Sequence, residues 1–224
     1  MNLHWKPARP ATRERLEGAL VQLEPADVAR HGADLYAAQS GAPDIWTYLP
    51  YGPFADEADF RTWLAACAAS VDPLFFAIID RATGRAQGMA SFMRMTPEHG
   101  VIEVGNIWYS PALQRTRQAT EAMYVMARHA FEVLGYRRYE WKCNARNEPS
   151  RRAALRLGFS YEGVFRQHMV VKDQNRDTAW YSMLDSEWPG AKAAFEAWLD
   201  EGNFGGDGRQ LRGLADLREQ PNKH

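Results

Sequence analysis

The stretch VIEVGNIWYSPALQRTRQATEAMYVMARHAFEVLGYRRYEWKCNARNEPSRRAALRLGF, residues 101–159, decides how the rest of the chain is read. Residues 101–109 read as a strand, and Pro111, which has no amide donor, helps to end its ladder. A polar turn leads into Ala119, Ala122, Met123, Met126, Ala127, Ala130, Phe131 and Leu134, an i, i+3, i+4 stripe that predicts one long helix stopped by Gly135. Residues 139–143 form a second strand and residues 150–157 a second helix. The order is strand, turn, helix, strand, helix.

Working outward, residues 19–23 read as a short strand, and Pro25 opens a helix carrying Val28, Leu35 and Ala38. Residues 44–54 hold four aromatics among turn formers without a clean period, so a structured loop is expected. Phe60, Trp63, Leu64, Cys67, Ala68 and Val71 recur at helical spacing. Residues 74–79, 88–95 and 101–109 are separated by two short turns, which predicts an antiparallel meander. Downstream, strands 162–171 and 178–184 flank the turn Lys172-Asp173-Gln174-Asn175, and Pro189 begins a last amphipathic helix. This order predicts a loosely held arm over 1–17, one α/β (α+β) domain over 18–188, and a helix and tail over 189–224 packed on it or trailing it. The domain is expected to hold a mixed, mostly antiparallel central sheet flanked by helices.

With 46% hydrophobic and 25% charged residues the chain has an ordinary soluble composition, and a formal charge of -1 gives no electrostatic reason to expect nucleic acid as a partner. Two cysteines, Cys67 and Cys143, make neither a zinc site nor a disulfide framework; buried thiols are expected. His31 and His129 have no metal-ligand partner at i+4, so no metal site is expected. The first thirty residues lack an apolar run fit for a signal peptide, and no run of 18 apolar residues occurs, so a cytoplasmic protein with no membrane partner is expected.

The residues that bear on function are Gln114-Arg115-Thr116-Arg117-Gln118-Ala119-Thr120-Glu121-Ala122, then Asn147-Glu148-Pro149-Ser150, then Leu157-Gly158-Phe159. Together they resemble the acetyl-CoA-binding core of the GNAT superfamily of N-acetyltransferases, and most of all its ribosomal-protein N-terminal acetyltransferase branch. The resemblance implies acetyl-CoA as cosubstrate and a sheet splayed at that site. Helix N-terminal amides suit a pyrophosphate because they converge already aligned. The slot reads Gln114, Arg115, Thr116, Arg117, Gln118, Ala119, with Arg117 where the family usually has glycine; a guanidinium there offers charge-assisted bonds to phosphate instead. The resemblance also implies that backbone groups of Ile107, Trp108 and Tyr109 pair with pantetheine as an added strand, with Thr120 and Asn147 contributing to the same site.

Acyl transfer to an amine needs a base for the amine, a donor for the oxyanion and a proton for the leaving thiolate. Glu103 is the candidate base, since alternation puts it on one face with Gly105, Ile107 and Tyr109, at the place where many family members carry a glutamate. The competing reading is an ion-paired strand carboxylate. Ser150 is the candidate acid by resemblance, although Asn147 or Ser150 also reads as the cap of its helix. His168 has a suitable ordinary pKa, but a lone strand histidine is more often a packing residue. Trp46, Tyr48, Tyr51 and Phe54 sit where relatives often build an acceptor wall, against the larger claim of a core-sealing loop. The expected function is direct acetyl transfer to a primary amine, either a protein N-terminus or a small molecule, with a homodimer left open. A noncatalytic acyl-CoA sensor is the alternative.

Overall fold

The computed structural model describes residues 4–219; residues 1–3 of the expected arm and 220–224 of the expected tail lie outside the described residues. The chain divides into two compact units, and the division falls inside one strand, after Tyr139. The first unit holds β1 (Leu16–Glu17), β2 (Val21–Pro25), α1 (Val28–Gln39), α2 (Glu57–Ala69), β3 (Leu74–Asp80), β4 (Arg85–Thr96), β5 (Val101–Tyr109) and α3 (Arg117–Arg128). Its strands lie in chain order, each antiparallel to the next, so the expected meander is present.

One face of this sheet presents Phe75, Ala77, Met89 and Trp108 to Leu35 of α1 and Phe60, Leu64 and Cys67 of α2. Both helices are begun by aspartates: Asp27 accepts from the Arg30 amide and Asp56 from the Asp59 amide, satisfying donors that a helix N-terminus leaves open. On the other face Phe92 packs on His129 and Tyr139. The loop between α1 and α2 seals the core, because Trp46 is fully buried and its ring meets Tyr51, Phe54, Trp63 and Trp108. Gly52, at φ +62°, lies under that indole; a Cβ there would come within 2.7 Å of the ring.

Several boundaries differ from expectation. The second strand runs from Val21 to Pro25, because the amides of Ala19, Leu20 and Val21 donate to the buried Glu121 carboxylate at 2.9, 2.6 and 2.7 Å. Pro25 therefore ends a strand rather than opening a helix. Val71 lies past the cap of α2 and is exposed. The long helix is α only to Arg128; His129–Val133 then form one wider π turn, closed by the Leu134 amide on the His129 carbonyl. That turn brings His129, Ala130 and Phe131, consecutive in sequence, all inward. The arm is anchored: the Ala8 and Arg9 amides donate to Pro97 and Leu134, and the Trp5 indole donates to the Glu98 carbonyl.

The second unit holds β6 (Arg138–Asn144, begun in the first), α4 (Glu148–Leu157), β7 (Ser160–Val171), β8 (Gln174–Leu184), α5 (Trp188–Leu199) and α6 (Leu214–Glu219). Its strand order is β6-β8-β7, with β7 and β8 antiparallel. The hairpin turn is two residues long rather than four: Lys172 and Asp173 both take positive φ, the conformation whose twist matches the flanking strands. Gly158, at φ +101°, ends α4. Residues of the expected tail dock within this unit, since the Arg218 guanidinium donates to the Leu155 and Arg156 carbonyls at the end of α4 and Leu214 is buried. Leu211, three residues before it, is exposed. Among the described residues no helix is long and apolar enough to cross a membrane.

Candidate active site

Strand β5 is not regular. Met89 pairs with Trp108 and Ser91 with Gly105, so two steps along β4 are matched by three along β5. The extra residue is a bulge at Asn106, which sits at φ +52°. Asparagine tolerates this left-handed conformation better than most side chains. A glycine inside a strand, Gly105, was the available signal.

The bulge corrects the expected face of Glu103. Alternation breaks at Asn106, so Glu103 and Gly105 share their face with Trp108, not with Ile107 and Tyr109. The contacts agree. Trp108 packs on Trp46, whereas the Tyr109 hydroxyl donates to the Ala119 carbonyl of α3 at 3.4 Å. Glu103 is 4% exposed and its carboxylate lies 3.5 Å from the Arg94 guanidinium, so it is an ion-paired strand carboxylate. Arg94 is itself at φ +49°, with its amide and that of Met95 held by the Asp72 carboxylate at 2.8 and 3.1 Å. Neither Arg94 nor Asp72 stood out in the sequence.

After Tyr109 the chain folds into a tight loop. The Leu113 and Gln114 amides return to the Ser110 carbonyl, and the Gln114 side chain donates to the Tyr109 carbonyl at 3.2 Å. Arg115 is exposed and takes φ +62°. Thr116 caps α3, accepting from the Ala119 amide at 3.1 Å and donating its own hydroxyl to Leu113 at 2.7 Å. Thr116 and Ala119 are thus bound to each other, while Arg117 and Gln118 form the first turn, where helix geometry leaves amides without intrahelical acceptors. Arg117 is the first helical residue, so the arginine in the usual glycine slot carries no backbone strain. Thr120 is buried and bonds to the Thr116 carbonyl at 3.4 Å. The positive end of the α3 dipole and its first-turn amides thus lie next in sequence to Arg115 and at Arg117.

In the second unit Asn147 is the cap of α4, its carboxamide oxygen accepting from the Ser150 amide at 3.1 Å. Ser150 Oγ accepts the Trp141 indole N–H at 3.0 Å. Trp141 is the partner that sequence reasoning missed. Cys143, on the same face of β6 as Trp141, is buried; burial pushes its thiol above the ordinary value, against the opposing hydrogen bond from Ser150. Arg151 and Arg152 are each paired with Glu148. His168 lies 2.9 Å from the Thr178 hydroxyl and packs near Phe165 and Trp180, the packing role expected of it. A buried pair also went unforeseen: Lys142 meets Glu140 at 2.6 Å and stands 3.8 Å over the Trp180 ring.

The fold combines a strand bulged before its end, a capped loop and a helix that starts directly after it, and the family described as Acetyltransferase (GNAT) domain matches residues 19–160. The chain belongs to the GNAT family of acetyltransferases. It is similar to the crystal structure of a GCN5-related N-acetyltransferase from Brucella melitensis, at 48% identity over 97% of this chain and 99% of that one, with a TM-score of 0.95. The putative ribosomal N-acetyltransferase YdaF of Bacillus subtilis (strain 168) is 30% identical over 109 residues, 49% of this chain and 59% of that protein. The ribosomal-protein-serine acetyltransferase of Escherichia coli (strain K12) is 30% identical over 101 residues, 45% of this chain and 56% of that protein. The match therefore spans less than two thirds of either curated relative.

Proposed function

We propose that this protein transfers an acetyl group from acetyl-CoA directly to a primary amine, in the cytoplasm. The observation that carries the reading is the continuous run from the Asn106 bulge through the Ser110–Thr116 loop to the first turn of α3. At the bulge Asn106 and Ile107 fall out of register with β4, and the helix start would offer amides, with Arg115 and Arg117 beside them, to a diphosphate. In the reaction the amine nitrogen attacks the thioester carbonyl, the carbon–sulfur bond breaks, and the thiolate takes a proton. Glu103 is the proposed proton acceptor for the amine and Ser150 the proposed donor to sulfur.

A covalent acyl-enzyme is disfavoured by both cysteines. Burial pushes Cys67 up to about 12 and raises Cys143, whereas the nucleophilic form of cysteine is the thiolate. The names of the curated relatives, a putative ribosomal N-acetyltransferase and a ribosomal-protein-serine acetyltransferase, favour a protein amine as acceptor, and an α-amine with a pKa of about 7.7–8.0 needs less help from a base than a lysine amine at about 10.4. The test is thiol release from acetyl-CoA, followed with DTNB, across N-terminal peptides, lysine peptides and small amines. Calorimetry with CoA runs alongside. CoA binding with no amine-dependent release anywhere in the panel sinks the reading.

A further inference from the structure

Tyr51 stands in the aromatic loop between α1 and α2, fifty-five positions before Asn106, yet its hydroxyl donates to Asn106 Oδ1 at 3.1 Å. Asn106 Nδ2 in turn donates to Ser91 Oγ at 2.9 Å, and the fully buried Ser91 hydroxyl donates to the Gly105 carbonyl at 3.1 Å. Each donor and acceptor in this chain has one consistent direction. It ends on the carbonyl just before the bulge and passes through the one bulge residue with positive φ. The Tyr51 ring is itself fixed among Trp46 and Trp63, with centroids 5.9 and 4.7 Å away.

From this geometry we infer that Tyr51 is a positioning residue for acetyl transfer, setting through Asn106 and Ser91 the direction of the β5 backbone at Ile107 and Trp108. The inference rests on the acetyl-transfer reading above. The loop and the bulge are then one mechanical unit: a shift of the aromatic loop re-aims the strand proposed to hold pantetheine. The role asks Tyr51 to be a proton donor at every working pH. Burial, with Cys67 beside it, pushes its hydroxyl further above the ordinary tyrosine range. Phenylalanine would keep the ring contacts and remove only the donor.

The experiment compares wild type, Tyr51→Phe, Asn106→Gly and the double variant. Glycine at 106 keeps the positive φ and deletes the side-chain link. Steady-state kinetics with a productive amine, CoA affinity by calorimetry, and amide hydrogen exchange at residues 107 and 108 are measured together. Tyr51→Phe is expected to lower kcat about ten-fold, since small misplacements near a reacting centre carry losses of that order or more. CoA affinity should stay within about two-fold, and exchange at 107 and 108 should quicken. The double variant should be no worse than Asn106→Gly alone, because both cut one chain. Wild-type kcat in Tyr51→Phe, or losses that add, overturns the inference. If the wild type itself turns over no amine, the function proposal fails separately. Exchange at 107 and 108 then decides the linkage alone, and unchanged rates in Tyr51→Phe refute it.

Discussion

The indole N–H of Trp141 donates to Ser150 Oγ across 3.0 Å, and the Ser150 hydroxyl is also hydrogen-bonded to the buried Cys143 thiol. The Ser150 amide is simultaneously held by the Asn147 cap. These bonds orient the hydroxyl from within the second unit. Ser150→Ala is expected to lower kcat about 100-fold if this proton reaches the thiolate, with KM for acetyl-CoA changing less than about three-fold. Trp141→Phe should lose less, and the two losses should not add. Stopped-flow thiol release checks both.

Glu103, the proposed base, is ion-paired with Arg94. Glu103→Gln should cut kcat/KM most at the acid end of the profile, where free amine is scarcest. Arg94→Gln removes the guanidinium 3.5 Å from that carboxylate and should lower kcat/KM as well. A pH series of kcat/KM tests this. An unaltered profile in Glu103→Gln removes Glu103 as the base.

Arg117 begins α3 at the proposed diphosphate site. Arg117→Ala should weaken CoA binding about ten-fold or more, the loss of one charge-assisted contact of about 1.5–3 kcal/mol. Dephospho-CoA and CoA should lose comparably, since the contact is with the diphosphate. Calorimetric affinity equal to wild type rejects the assignment.

Glu121 is a stability determinant. Its carboxylate accepts three amides from residues 19–21 while 4% exposed, and Gly18 lies so close that a Cβ would fall 2.4 Å from it. Glu121→Ala leaves three amides unpaired and should cost about 3–5 kcal/mol in urea unfolding, each charged bond being worth about 1.5–3. Asn147→Ala, the loss of one cap, should cost about 1 kcal/mol.

His129 makes stability depend on pH. Burial depresses its pKa, with Arg9 and Arg128 acting in the same direction and Glu14 opposing. Above the unfolded value of about 6.5 both states are neutral and nothing is lost. Below it the unfolded chain takes a proton that the folded one resists, so stability falls until the pH passes the lower folded value. Urea midpoints between about pH 8 and pH 5 should show this decline in wild type and a shallower one in His129→Gln.

Much of this site was legible in one dimension because its signals are local. The stripe from Ala119 to Leu134 follows helical periodicity, Gly158 marks a helix end, and the run from Gln114 to Ala122 sits next to the amides it organises. Where reading stopped short, a distant partner had intervened. Residues 19 and 20 stayed outside the strand because Glu121 takes their amides. Glu103 changed neighbours because strand parity counts residues, and one bulge residue reverses the count.

What the chain determined alone is the order of elements and the chemistry available at the helix start, since periodicity, caps and turn residues act over a few positions. Tertiary structure decided which side chains face one another: Trp108 beside Trp46, Trp141 against Ser150, Tyr51 joined to Asn106. Those pairings depend on the register between segments far apart in sequence. Register is set by bulges and by buried polar groups finding partners, and neither leaves a period to read.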